Sequence, residues 1–229
     1  MDKKMNSKVD FSLLLASSVH DMKNSIGMLL STVEELDQSM ISSDQNSKSQ
    51  LALLHAKAAR INNDLVHLLG VYRMDQEQLI LSYDECYLTD LFQDQIANNE
   101  IIFSAGNLEV IIDCDESICW YFDEQLVTDV INNVLINAAK YANKLIRLKA
   151  EIVNEYLKIS VWDDGRGYPE NMLTDPDALK KGINFSTGST QLGLFFASRI
   201  AEEHTNDDRK GYIHLENSDG GGLFSIWLP

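Results

Sequence analysis

Near the start of the chain a histidine, a carboxylate and an amide stand together in Val19-His20-Asp21-Met22-Lys23-Asn24. In a helix His20 and Asn24, at i and i+4, project from one face. A histidine beside an apolar stripe is more often a surface or core residue than a nucleophile, so the rest of the chain decides. Three further constellations lie downstream. Between Leu126 and Tyr141, residues Asn133, Asn137 and Lys140 fall at i, i+4 and i+7, apart from the Val130, Val134 and Ala138 stripe. Amides are disfavoured in helix interiors. Two of them in line with a lysine suit a cation held through oxygen ligands with phosphates beside it, because magnesium takes few protein ligands and keeps waters and substrate phosphates. A solvated polar face is the alternative.

Trp162-Asp163-Asp164-Gly165-Arg166-Gly167-Tyr168-Pro169 follows a strand-like run. Its glycines permit positive φ and close backbone approach to a ligand, and a carboxylate at a strand end can accept a base amino group. An ordinary turn has the same composition. Thr187-Gly188-Ser189-Thr190-Gln191-Leu192-Gly193-Leu194 sets glycines and hydroxyls at a helix start, where free backbone N–H groups attract phosphate. A capping turn would read alike.

The elements that must position these residues fall into two groups. From about Phe11 to Met40, Leu15, Met22, Leu29 and Leu36 form one row seven apart, and Val19, Ile26, Val33 and Met40 a second. Interleaved, they make the seam of a bundled helix. Asp10 suits its N-cap, and Ser42-Ser43-Asp44-Gln45-Asn46-Ser47 breaks it. A second seam runs through Leu51, Leu54, Ala58, Ile61, Leu65, Leu68 and Tyr72. Residues 1–75 therefore read as a helical hairpin. Two such helices bury their seams poorly alone, so a homodimeric four-helix bundle is the expectation, against packing on the chain's own C-terminal part.

Residues 76–229 read as an α+β sandwich, a mixed sheet with helices on one face. Expected strands run over Leu79–Tyr83, Leu108–Asp113, Ile118–Phe122, Leu145–Val153, Tyr156–Trp162, Tyr212–Glu216 and Leu223–Leu228. Expected helices cover Leu88 to about Asn98, Asp123 to about Asn143 with Asp123 as cap, and Leu192–Glu203; Gly165 to Ser189 is mostly loop.

The composition narrows the partners. A net charge of −16 over 229 residues argues against nucleic acid or an anionic membrane surface. No apolar run approaches the roughly 20 residues that span a bilayer, and no apolar h-region follows Met1-Asp2-Lys3-Lys4, so a cytoplasmic protein is expected. Cys86, Cys114 and Cys119 are odd in number without zinc-type spacing, and read as reduced thiols.

In this order and spacing, the three downstream stretches resemble the N, G1 and G2 boxes of the sensor histidine kinase catalytic domain, of the Bergerat (GHKL) ATP-binding superfamily. Gly220-Gly221-Gly222-Leu223-Phe224-Ser225-Ile226-Trp227-Leu228-Pro229 resembles its closing strand, and the hairpin with His20-Asp21-x-x-Asn24 resembles its dimerisation and histidine phosphotransfer domain. The likeness spans nearly the whole chain.

The resemblance implies that Asn137 is the magnesium ligand, with Asn133 near metal and phosphates and Lys140 and Tyr141 bordering ATP. Asp163 would accept the adenine amino group in a pocket shaped by Gly165 and Gly167. Gly188, Thr190, Leu192 and Gly193 would line a phosphate lid. His20 would be the phosphoacceptor, attacking the γ-phosphorus through one ring nitrogen while Asp21 holds the proton on the other. Asn24 resembles the amide that orients a hydrolytic water in members with phosphatase activity, and Gly27 would leave room for a docking partner. The implied reaction is autophosphorylation of His20 from Mg-ATP and transfer to a response-regulator aspartate, with input from a separate sensor protein or from a sensor domain outside this chain.

The sequence departs from the pattern at Ser25, where proline is common, and at Gln191, where glycine is typical. No clear aromatic box or γ-phosphate arginine stands between Gly167 and Gly188; Phe185 and Lys180 or Lys181 are the substitutes available. Two alternatives therefore stay open. One is a histidine phosphotransfer protein with a degenerate ATP site, and the other a nucleotide-binding dimeric scaffold.

Overall fold

The computed structural model describes residues 79–173 and 190–229, together with the single helical positions 26, 27, 58, 61, 65, 66, 70 and 74. The chain divides into two compact units, Met1–Leu79 and Ile80–Pro229. The hairpin expected over residues 1–75 otherwise lies outside the described residues, as do His20, Asp21 and Asn24.

The second unit opens with β1 (Asp84–Tyr87), α1 (Leu88–Asn98), α2 (Glu100–Gly106), β2 (Glu109–Asp113) and β3 (Cys119–Phe122). The strand expected at Leu79–Tyr83 begins instead at Asp84. The Ser82 N–H donates to Asp123 Oδ2 at 2.9 Å, and antiparallel pairing with β3 starts at Asp84 opposite Phe122. Helix α2 was not expected: it buries only Phe103, and Ile101 is 83% exposed, so no amphipathic period marks it.

The central helix α3 (Glu124–Tyr141) is capped as the sequence suggests. Asp123 Oδ1 accepts the Leu126 N–H at 3.0 Å, a bond of the kind worth about 1 kcal/mol. The helix buries Val127, Val130, Ile131, Val134, Leu135 and Ala138 at intervals of three and four. Its last turn carries Lys140, a charge the helix dipole favours there.

Strands β4 (Leu145–Val153) and β5 (Tyr156–Asp163) form a hairpin through Asn154 and Glu155, both at positive φ, as a two-residue turn of matching twist requires. A short helix α4 (Glu170–Leu173) lies in the stretch read as loop. Helix α5 (Thr190–Glu203) leads to a small unexpected hairpin of β6 (Thr205–Asn206) and β7 (Arg209–Lys210), and then to β8 (Tyr212–Ser218) and β9 (Gly221–Leu228). The main sheet runs β2-β4-β5-β9-β8, with β2 parallel to β4 and the other neighbours antiparallel.

One face of this sheet carries Ile146, Leu148, Leu157, Ile159, Phe224, Ile226 and Leu228, all essentially buried, with α3 and α5 packed over it. Each such side chain contributes roughly 1.5–3 kcal/mol. The opposite face mixes charge and aromatic rings: Arg147 lies over Trp162, and Lys158 over Trp227, whose ring stacks on Tyr212. The three cysteines are free, and burial foremost pushes the Cys86 thiol up to about 12.

His204, at the end of α5, ties the helical layer together. Its Nδ1 donates to the Ile200 carbonyl at 2.8 Å, and its Nε2 accepts the Asp123 N–H at 3.1 Å. Acceptance at Nε2 requires the neutral ring, and burial lowers the pKa accordingly, against the opposing pull of the Ile200 bond.

Candidate functional site

The end of β5 and the middle of α3 face one another across a cavity of about 90 Å³. The two elements meet there because the chain leaving β5 is tied back to the end of α3. Asp164 accepts the N–H groups of Asn143, Lys144 and Leu145 at 2.8–3.1 Å, closing the connection between α3 and β4. Desolvation opposes ionisation of Asp164, but these backbone donors outweigh it and lower the pKa.

Asp163 points into the cavity, 8% exposed. Its Oδ1 accepts the Gly165 N–H at 2.9 Å. Burial raises its pKa, the Gly165 bond counters this, and the charge of Asp164 adds to the rise. A buried carboxylate with one oxygen committed to the backbone leaves the other for a donor on a ligand. At Gly165 a Cβ would overlap the Tyr141 carbonyl, so only glycine lets this loop lie against the end of α3. Gly167 has φ +74° and sits against the Asn217 side chain. Asn217, on β8, accepts the Tyr168 N–H at 2.7 Å and donates to the Tyr168 carbonyl at 3.0 Å, imitating a strand partner.

Helix α3 supplies the opposite wall through Val134, Asn137, Ala138 and Tyr141. Two cations flank the Tyr141 ring, Lys140 Nζ at 4.9 Å and Arg166 Cζ at 5.0 Å from its centroid. Asn133, one turn before Asn137, meets Gly193 of α5: a Cβ on Gly193 would overlap the Asn133 amide. The Asn133 Nδ2 is buried without a hydrogen-bond partner among the described residues. An orphaned donor of this kind is costly unless an anionic or carbonyl oxygen arrives to take it. Leu194, Met172 and Pro169 complete an apolar lining.

Of the residues singled out in the sequence, Asn137, Tyr141, Asp163 and Gly167 therefore line one cavity, Gly165 closes its rim, and Lys140, Asn133 and Gly193 stand beside it. Thr190 and Leu192 fall in the first turn of α5. Gly188, Lys180, Lys181 and Phe185 lie outside the described residues. The sequence reading gave no role to Arg166, Tyr168, Met172 or Asn217. The first two stood inside the glycine motif, whereas Asn217, 49 positions from its partner, carried no signal.

Among the described residues, no cluster of three or more His, Cys, Asp and Glu gathers that could hold a metal. Asn137, which lines the cavity, carries a neutral oxygen as its metal-binding atom. That donor set suits a magnesium ion arriving with phosphates and waters, and not a cation held by protein carboxylates. No helix among the described residues is long and apolar enough to cross a membrane.

Residues 122–229 match the family of histidine kinase-, DNA gyrase B- and HSP90-like ATPases. The adaptive-response sensory kinase SasA of Rippkaea orientalis is 29% identical over 94% of this chain and 57% of its own length. Among solved structures, full-length ShkA in complex with AMPPNP superposes with a TM-score of 0.67 at 18% identity, over 94% of this chain and 45% of its own. Histidine kinase ThkA in complex with the response regulator protein TrrA gives 0.58 at 18% identity, over 96% and 61%. At these identities the two structures speak to the fold. The chain spans about half the length of the curated relatives it matches.

Proposed function

From the membership of residues 122–229 in the histidine kinase-, DNA gyrase B- and HSP90-like ATPase family, we propose that this chain is the core of a sensor histidine kinase. It would bind Mg-ATP in the cavity between α3 and β5, phosphorylate His20 and pass the phosphoryl group to a response-regulator aspartate. The observation that carries the reading is the convergence of Asn137 and Asp163, 26 positions apart in sequence, on one cavity. Each residue would be unremarked alone, and together they offer what a magnesium nucleotide needs at its two ends.

In this reading Asp163 Oδ2 accepts the base amino group, Tyr141 and Met172 wall the base, and the Asn137 oxygen takes one magnesium position. Magnesium, when bound, neutralises phosphate charge and holds the phosphates in one geometry. The Asn133 amide donates to a phosphate oxygen, which satisfies its orphaned N–H. Lys140 and Arg166 add positive charge at the mouth of a strongly acidic protein. His20 attacks from the N-terminal hairpin, which pairs with a second copy into a four-helix bundle. Asp21 fixes the tautomer, and Asn24 serves the reverse, hydrolytic reaction on the regulator. The relatives' names, a sensory kinase and a kinase bound to its response regulator, support the partner class.

Binding of Mg-ATP, measured beside incorporation of labelled γ-phosphate, tests the proposal. Label should appear on the wild-type chain and vanish in His20→Gln while nucleotide binding persists. A chain that binds no nucleotide, or label that survives His20→Gln, refutes it.

A further inference from the structure

Tyr168 carries a polar side-chain group in the cavity wall to which the reading above gives no task. It follows directly on Gly167, lines the cavity and is mostly withdrawn from solvent. Its backbone N–H and carbonyl are both tied to the Asn217 side chain, which fixes where the Tyr168 side chain leaves the loop. Among the described residues the hydrogen bonds of Tyr168 are those of its backbone, and its hydroxyl makes none.

The ring and the Asp163 carboxylate share one space. From the point where a Gly222 side chain would begin, Asp163 Oδ2 lies 3.1 Å away and Tyr168 Cε2 3.3 Å. Gly222, by carrying no side chain, lets the carboxylate and the ring come this close to the strand and to each other. Burial foremost, then the charge of Asp163, raises the Tyr168 pKa, so the phenol stays protonated and remains a donor.

We propose that Tyr168 is a second base-reading residue at this site, presenting its hydroxyl to ring N1 beside the acceptor Asp163. This rests on the nucleotide reading above. An acceptor next to a donor complements the edge of adenine, whose exocyclic N6 amino group donates and whose ring N1 accepts. Guanine offers the reverse, an O6 acceptor and an N1–H donor. It would set O6 against the carboxylate, two acceptors face to face, whereas its N1–H could be met by the hydroxyl turning to accept it. Tyr168 thus adds a contact at ring N1 to the reading of the exocyclic group that Asp163 makes, and discrimination against guanine rests on Asp163.

The test is a binding cycle on the full chain. Dissociation constants are measured for the magnesium complexes of ATP, GTP and 1-deaza-ATP, which replaces N1 by C–H, against wild type and Tyr168→Phe. One neutral hydrogen bond predicts that wild type binds 1-deaza-ATP about three- to tenfold more weakly than ATP. Tyr168→Phe should weaken ATP by a similar factor and leave 1-deaza-ATP unchanged, while the preference for ATP over GTP, which rests on Asp163, stays within about threefold. Losses that add, when both the hydroxyl and N1 are removed, overturn the proposal. Equal wild-type affinity for ATP and 1-deaza-ATP overturns it without recourse to any variant. A wild-type chain that binds none of these nucleotides fails the underlying nucleotide reading instead, and is recognised before the variant is made.

Discussion

Asp163→Asn separates the work of the site from the stability of the fold. Asparagine keeps the shape of aspartate, and its remaining oxygen can still accept the Gly165 N–H that Asp163 holds at 2.9 Å. The change falls on the other atom. Oδ2, 3.1 Å from the virtual Cβ of Gly222, becomes an NH2 donor turned toward the donor that the base would offer. A hydrogen bond to a charged acceptor contributes about 1.5–3 kcal/mol, and burying two facing donors costs about 1–3 kcal/mol more. Together these weaken Mg-ATP binding by about a hundredfold or more. Stability moves the other way. Burial foremost holds the folded-state pKa of Asp163 above its ordinary value of 3.8. For a raised pKa, this group's stability contribution is full below the unfolded pKa and lost as pH rises through the folded one. At neutral pH the ionised carboxylate is therefore a standing cost that asparagine does not carry. Calorimetric titration with Mg-ATP, beside thermal unfolding without nucleotide, should show affinity collapsing while the unfolding temperature holds or rises. A variant that binds within about threefold of wild type refutes the reasoning about the acceptor. One that unfolds at lower temperature refutes the reasoning about burial.

Two other perturbations test the contacts that shape the site. Gly193→Ala drives a Cβ into the Asn133 amide. It should cost about 1–3 kcal/mol, or several degrees in thermal unfolding, and much less in an Asn133→Ala background, where the obstruction is gone. For His204, burial foremost lowers the folded pKa below the ordinary 6.5. Its contribution is full above pH 6.5 and lost as pH falls through the folded-state pKa, because protonation places a second N–H against the Asp123 N–H. Unfolding temperature against pH should fall on the acid side of 6.5 in wild type, and a His204→Gln chain should lack that component.

The long elements were legible because their residues keep period. Helix α3 buries six side chains at helical spacing behind an aspartate that caps it, and the β4–β5 hairpin alternates buried and outward residues on both sides of Asn154-Glu155. The misplaced first strand shows what misleads. Leu79-Ile80-Leu81 looks like a strand by apolar content, yet Ile80 is 90% exposed. The paired segment Asp84–Tyr87 buries only Cys86, because its outward face is polar and aromatic. Asn133, Asn137 and Asp163 were legible as candidate site residues because amides inside a helix and a carboxylate at a strand end are out of place unless something needs them. Asn217 and Tyr168 were not, since an asparagine near a strand end and a tyrosine in a glycine loop are in place anywhere. Their meaning lies in a contact between segments 49 positions apart.

The glycines around the cavity divide by what they stand against, and the division bears on what a ligand can ask of the site. At Gly165, Gly193 and Gly221 a side chain would run into the Tyr141 carbonyl, the Asn133 amide and the Asp163 carbonyl. These three close the shell by bringing loop and helix onto α3 and β9 onto the end of β5. At Gly222 a side chain would crowd the tips of Asp163 and Tyr168, at 3.1 and 3.3 Å, before it reached the Gly167 backbone at 3.5 Å. The close packing on three sides leaves the tips of those two side chains as the polar groups at the β5 end of the cavity. On the proposed reading the base lies at that end and the phosphates toward Asn137, Asn133 and the start of α5. On that reading the first and third motifs along the chain come together at the α3–α5 contact to hold the charge, while the second, at the β5 end, reads the base.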